Sequence, residues 1–467
     1  MGLRDGMERK EFNDYVRQLV VGVNERVPLL NGSYSTAINF DNAATTPPFH
    51  CVLRKIEEFC PWYSSVHRGT GYKSVTTSDW YEAAREEIKA FVHADEEKDI
   101  LIYTKSTTEA INVLAHTLSQ QDGRTVVLSS EMEHLANDLP WRNAFTTDYV
   151  AVDRSGRLVL ANLEKKLRQY GGSVKLVAVT GASNVTGYMN PIHQIAAICH
   201  QYGAQLLVDG AQLVPHCPVD MKPHSSREHI DFLVFSAHKM YAPFGVGILI
   251  GPRKAFHDVS PLCKGGGAVK LVGRQFVDWD DSPYKEEAGT PNVIGVVALV
   301  AAIRLMTQLD VREIHDYERE LTEYIMTGLS EIPGIRLFGR TRSGEDRVSL
   351  FSFQAEGLDH RAFAKMLSYE AGIAVRSGLF CAHPYVENLL GVTEKELNYY
   401  HKHQEARVPG LVRVSLGVYN TCREADVFLE TVGHIIRHKD HYKQKYEALD
   451  SQAGSGNVPF WVKRHVP

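Results

Sequence analysis

The sequence contains no apolar run long enough to cross a bilayer, and its opening stretch, MGLRDGMERKEFNDYVRQL, is charged throughout where an export signal needs an apolar core. A cytoplasmic chain without membrane contact is the expectation. Cysteine is sparse: seven residues in 467, odd in number, scattered and without a C-x-x-C pair. That argues against a disulfide framework and against a structural zinc site. There is no dense Lys/Arg tract, and 51 basic against 56 acidic side chains leave a net charge of -5. A general attraction to nucleic acid or anionic lipid is thereby excluded. What is present is ordinary for a globular protein, 44% hydrophobic and 23% charged. The length implies two or three domain-sized units.

From about residue 80 to 255 helical patterns alternate with short apolar runs, among them DILIYT, TVVLSS, KLVAVT, QLLVDG and DFLVFS. Such alternation predicts an α/β fold whose mostly parallel sheet is covered on both faces. The strand candidates end at Thr104, Ser129, Thr180, Asp209 and Ser236. Ligands of open α/β sheets bind beyond the carboxyl ends of the strands, so these side chains are expected to converge. A Gly-rich segment, KGGGAVKLVG, and an acidic stretch, DWDDSPYKEE, read either as a solvated hairpin or as an active-site flap. The expected division is a large domain over 38–297, a smaller α+β domain made of 1–37 and 298–445, and a tail over 446–467.

The strongest local signal is DFLVFSAHKMYAPFGVGILIG. Lys239 follows an apolar strand and precedes a Pro/Gly turn, where the sheet meets its ligand. Partial burial there favours the neutral amine that forms an imine with an aldehyde cofactor; the bland alternative is an exposed turn lysine. In QLLVDGAQ, Asp209 ends another buried strand, where an unpaired carboxylate is costly. The protonated pyridine nitrogen of pyridoxal phosphate would answer it, unless Asp209 simply caps a helix. Gln212 can reach the phenolic oxygen of the same ring. YTKSTTEAIN places Lys105, Ser106, Thr107 and Thr108 at a helix N-terminus suited to the phosphate. His134 in SSEMEHLAND can stack on a planar ring, or be a simple polar contact.

In order along the chain, STTEAIN, EMEHLAN, SNVTG, VDGAQ, FSAHK, EAGTPN, VRSGLFCAHP and VRVSLGVYNT resemble the class V aminotransferase family of fold-type I pyridoxal-phosphate enzymes. Within it they most resemble the SufS-like, group II cysteine desulfurases and selenocysteine lyases, from about residue 38 to 435. The resemblance implies a seven-stranded, mostly parallel sheet in the large domain, with a smaller α+β domain. It implies Lys239 as the cofactor-bearing lysine, Asp209 as partner of the pyridine nitrogen, and Gln212 and Asn184 near the phenolic oxygen. His134 is implied on the ring face, with Thr107, Thr108, Ser236 and His238 at the phosphate. Thr290 would reach the phosphate of a neighbouring subunit, which implies a homodimer. Arg413 matches the substrate-carboxylate arginine, a bidentate role suited to guanidinium, with Arg376 and Asn42 as further substrate-binding candidates. Cys381 matches the desulfurase nucleophile, which takes sulfur or selenium from cysteine or selenocysteine and hands it to an acceptor protein. Arg376 and nearby N–H groups favour its thiolate.

Three features depart from that pattern. Leu379 and Phe380 stand where desulfurases of this type carry a histidine pair, and apolar neighbours oppose the charge of a thiolate. The Gly-rich segment lacks the acidic residue common after the glycines, and NYYHKHQEARVPG (398–410) reads as an insertion. A C–S lyase, an epimerase or an aminotransferase of the same superfamily stays open, as does an idle scaffold.

Overall fold

The computed structural model describes residues 9–121, 123–339 and 347–453. Seven strands form the central sheet: β1 (Asp99–Thr104), β2 (Val126–Ser130), β3 (Thr146–Val150), β4 (Val174–Thr180), β5 (Gln205–Asp209), β6 (Phe232–Ser236) and β7 (Gly247–Pro252). Their spatial order is β1-β7-β6-β5-β4-β2-β3. All neighbours are parallel except β7, which runs against both β1 and β6. The strands alternate between two apolar clusters. Leu101, Leu128, Val177, Val208 and Phe235 point to one; Ile102, Val127, Leu176, Leu207 and Val234 point to the other. Side chains of successive strand residues face opposite sides, so nearly continuous apolar runs are what a sheet covered on both faces requires. Helix α1 (Thr107–Ser119) packs on the second cluster, and the apolar helix α2 (Val293–Leu309) on the first.

A second, antiparallel sheet holds β8 (Ile335–Phe338), β9 (Leu350–Ala355), β10 (Arg376–Gly378) and β11 (Leu411–Ser415) in the order β8-β9-β11-β10. Phe351, Phe353, Val412 and Val414 form its core with Phe428 and with Leu321 and Ile325 of helix α3 (Val311–Ser330). Asn184 and Thr186 of the first unit touch this second unit, and the cavity described below lies between them.

Three expectations change. Ile38 and Phe40, expected to begin the large unit, are buried in the core of the small one, and Ile38–Asn39 pairs with Ile373–Ala374. The N-terminal helix, Arg9–Gln18, was expected with the small unit; Val16 joins the large cluster instead, while Arg17 reaches Glu424 of the small unit at 2.8 Å. A helix over Lys439–Ala453 crosses the boundary expected at 446, because Tyr442 and Tyr446 bury against the small core. The remainder of the expected tail, 454–467, lies outside the described residues. The Gly-rich segment is a hairpin, Val269–Val272 with Val277–Trp279, and its Leu271, Val272 and Phe276 are exposed. Among the described residues, no single helix is long and apolar enough to cross a membrane.

Candidate active site

A cavity of about 530 Å³ opens at the carboxyl edge of β4, β5 and β6, roofed by residues of the second unit. Of the strand ends expected to converge, Thr180, Asp209 and Ser236 line it. Thr104 and Ser129 do not: each hydroxyl donates to a backbone carbonyl nearby, Ser106 O at 3.0 Å and Asn137 O at 3.3 Å. Lys105 is exposed beyond the cavity.

Lys239 sits in the single turn Ala237–Lys239 that follows β6. Burial pushes its amine down to about 8, against the pull of the Asp209 carboxylate, and Arg413 pushes the same way as burial. Asp209 is 3% exposed, and burial raises its carboxyl above the ordinary range while the Ala211 N–H, at 3.0 Å, and Lys239 act the other way. The turn is clamped from a segment the sequence reading had not singled out. The His238 carbonyl accepts from Thr46 N at 2.9 Å and from Thr45 Oγ1 at 3.0 Å, while Thr46 Oγ1 accepts from Tyr241 N at 2.7 Å. Tyr241 has φ 59° and is held there by stacking on Phe49 at 4.2 Å.

The helix end is built closely. Ser106 caps α1 by accepting from Glu109 N, and Thr107 donates its N–H to Ser236 Oγ at 2.8 Å, with the two hydroxyls 2.6 Å apart. Gly247 is required opposite it, because a Cβ there would lie 2.3 Å from the Ser106 carbonyl carbon. Thr108 and His238 complete this end of the cavity; burial and Lys239 press the His238 imidazole down to about 4. His134 accepts from Ala136 N at 3.0 Å through Nδ1, and burial with the charges of Lys239 and Arg413 lowers it to about 4, so it is a neutral ring. Beside it Glu133 is pushed up to about 8 by burial, although Thr180 N, Asn137 Nδ2 and the Ser130 hydroxyl all bond to it. Gln212 Nε2 donates to Ala43 O at 2.8 Å, and its Oε1 is buried without a partner among the described residues.

On the opposite wall Cys381 is exposed in the turn after β10, with φ near 52° at Phe380 and 53° at Cys381. Left-handed backbone at two side-chain-bearing residues costs about 1–2 kcal/mol each, so the turn needs external support. It has two ties: Asn184 Nδ2 donates to Phe380 O and Leu135 N to Cys381 O, both at 2.7 Å. Arg413, on β11, is 3% exposed and lies over the Phe380 ring at 5.1 Å. Burial lowers it to about 10, which leaves it charged at neutral pH. Its Nη1 donates to Asn184 O at 3.0 Å and its Nη2 to Asp41 Oδ1 at 3.3 Å, while Nε has no partner among the described residues. Arg376 also reaches Asp41, at 3.0 Å. Asp41, another residue not singled out in the sequence, is therefore the carboxylate shared by both arginines.

One expected residue falls elsewhere, while Thr290 was expected to act on a neighbouring subunit. Asn42 does not line the cavity; its amide donates to Asn39 O and Ser415 O and accepts from the Tyr419 hydroxyl at 2.7 Å, a framework position that leaves nothing for a substrate. Thr290 is exposed outside its own chain's cavity.

A buried carboxylate, a lysine of lowered proton affinity, a hydroxyl-rich helix N-terminus and the unpaired Gln212 Oε1 fit a ring cation, an aldehyde and a phosphate on one molecule, as in pyridoxal phosphate. Asp209, Lys239, Thr107, Thr108, Ser236, His238, His134 and Gln212 are the residues able to hold it.

The aminotransferase class-V family model matches residues 38–428. A Synechocystis protein named "Probable cysteine desulfurase" is 33% identical over 432 residues, 90% of this chain and 97% of that protein. A cysteine desulfurase of Yersinia pseudotuberculosis is 33% identical over 399 residues, 83% of this chain and 91% of its own. The solved structure of a cysteine desulfurase from Thermococcus onnurineus superposes with a TM-score of 0.76 at 29% identity, covering 86% of this chain and 95% of that one. The fold-type I architecture is thus present, and a match running through nearly all of both units places the chain in the aminotransferase class-V family.

Proposed function

We propose that this chain is a pyridoxal-phosphate-dependent cysteine desulfurase that takes sulfur from cysteine, or selenium from selenocysteine, leaving alanine and a persulfide on Cys381. The observation that carries the reading is that the Cys381 turn lines the same cavity as Lys239, Asp209 and Arg413. The likeness to proteins named cysteine desulfurases supports it.

When bound, pyridoxal phosphate supplies an electron sink for charge developed at the substrate Cα. Asp209 would be the partner of the protonated ring nitrogen, and His134, a neutral ring, would be the residue to cover one face of the cofactor. Arg413 orients the substrate through its carboxylate, drawing on the Nε that lacks a partner and on the Nη2 shared with Asp41. Lys239 Nζ would take the Cα proton of the bound substrate and return it to Cα once the sulfur has left. Cys381 Sγ then attacks the substrate sulfur. A sulfur–sulfur bond forms, the Cβ–S bond breaks with its electron pair left on Cβ, and Cβ gains a proton. Cysteine and a thiol become alanine and a persulfide without an external oxidant. The exposure of Cys381 suits delivery of that sulfur to an acceptor protein. Thr290, exposed outside its own cavity, suits the homodimer in which it reaches the partner's phosphate.

Incubation of wild type and Cys381→Ala with cysteine and dithiothreitol, the thiol reductant that releases persulfide sulfur as sulfide, tests the reading. Wild type is expected to yield alanine and sulfide in equal amounts, and the variant neither. Equal output from both proteins would remove the persulfide step, and pyruvate as the product would assign a lyase.

A further inference from the structure

At the opposite rim of the sheet, a strand's length of roughly 17 Å from the cavity, Asp99 opens β1 while His224 and His229 lie in the loop that leads into β6. Their donor atoms lie within 4.8 Å of one another. His224 Nε2 donates to Asp99 Oδ1 at 2.8 Å, and the second oxygen of Asp99 accepts from Asp95 N at 3.0 Å. The two imidazoles are 4.0 Å apart between centroids.

His229 is the informative member. Its Nδ1 lies 2.8 Å from Lys222 O and 3.1 Å from Met221 O. Carbonyls only accept, so Nδ1 carries the proton and Nε2 of the neutral ring presents a lone pair. That Nε2 is buried, in a residue 3% exposed, and has no partner among the described residues. A buried acceptor held unpaired by two bonds on its other nitrogen is the arrangement of a metal-bound histidine, whose far N–H is fixed by carbonyls.

We propose that Asp99, His224 and His229 form a site for a borderline divalent transition metal such as zinc, distinct from the catalytic cavity. Two imidazoles and one carboxylate are a donor set such ions accept, with water as fourth ligand. Bonds of 2.0–2.1 Å put tetrahedral donors about 3.3 Å apart, so the three side chains close by about an ångström as the ion replaces the proton between His224 and Asp99. The His224 side chain keeps 18% of its surface exposed while that of Asp99 keeps none, which gives the ion a path from solvent. The sequence offered no sign of the site, because Asp99 stands 125 positions from His224 and the usual zinc motifs cluster their ligands.

The test is a cobalt(II) titration of chelator-treated holoenzyme, followed through the visible d–d bands and by metal analysis. One cobalt per chain is expected, displaceable by zinc, with binding unchanged in Cys381→Ala. His224→Gln is expected to weaken it at least about tenfold without altering the circular dichroism. Absence of stoichiometric cobalt, equal affinity in His224→Gln, or loss of binding in Cys381→Ala overturns the proposal. If His224→Gln does not fold, X-ray absorption on zinc-loaded wild type decides: a first shell of nitrogen and oxygen supports the site, and sulfur in that shell overturns it.

Discussion

Lys239 illustrates how one residue's chemistry follows from where it is held. An ordinary lysine amine loses its proton near 10.4, whereas burial brings this one to about 8. Below that value the neutral, nucleophilic fraction grows about tenfold per pH unit; above it the fraction saturates. The rate at which cofactor-free enzyme captures pyridoxal phosphate, read by absorbance in a stopped flow, is therefore expected to rise with pH and level off just above 8. Asp209 pulls the amine's proton affinity upward, so Asp209→Asn is expected to move the plateau to lower pH. A rate still climbing at pH 10 would show that burial does not govern the amine.

At the scale of elements, the site is a set of turns braced by other turns. The Cys381 turn hangs on Asn184 and Leu135, and the Lys239 turn on Thr45 and Thr46. Asn184→Ala removes the side-chain tie to Phe380 O and leaves a strained turn with one brace. The expected outcome is loss of about 1–3 kcal/mol of local order and at least a tenfold slower appearance of persulfide in alkylation trapping, with the cofactor's absorption retained. Unchanged trapping kinetics would mean that the turn holds itself. The strand-end residues Asp209 and Ser236 were legible in the sequence because they follow apolar runs of strand length. Thr45, Thr46 and Asp41 were not, since a segment reading NFDNAATTPP carries no periodicity, and its partners lie hundreds of positions away.

For the whole molecule, Arg347 is one of the buried ties at the join between the two units. Its guanidinium donates to Thr186 O of the first unit and to Gly339 O and Leu350 O of the second, each at 2.8 Å and all buried. Replacing it with leucine strands those carbonyls. Arg347→Leu is expected to lower stability by about 3 kcal/mol or more, seen as a shifted midpoint in urea. Gly187 lies at the same join with φ 78°, and a Cβ there would come within 2.3 Å of Leu350 O. The proposed homodimer is tested at this scale as well. Sedimentation is expected to give twice the chain mass, and Thr290→Ala to weaken cofactor binding about tenfold, as loss of one hydrogen bond to a charged group does. A monomer of full cofactor affinity would refute the shared site.

The sequence by itself determined the α/β class, five of the seven central strands and the order of the motifs around Lys239 and Asp209. These depend on local periodicity and on which residues end apolar runs, and both are written in consecutive positions. Tertiary structure alone decided that Asp41 binds both Arg376 and Arg413, that Asn42 is framework, that the chain changes units near residue 41, and that Asp99 meets His224 and His229. Those outcomes depend on which distant segments exclude water together, and no local pattern encodes such a pairing.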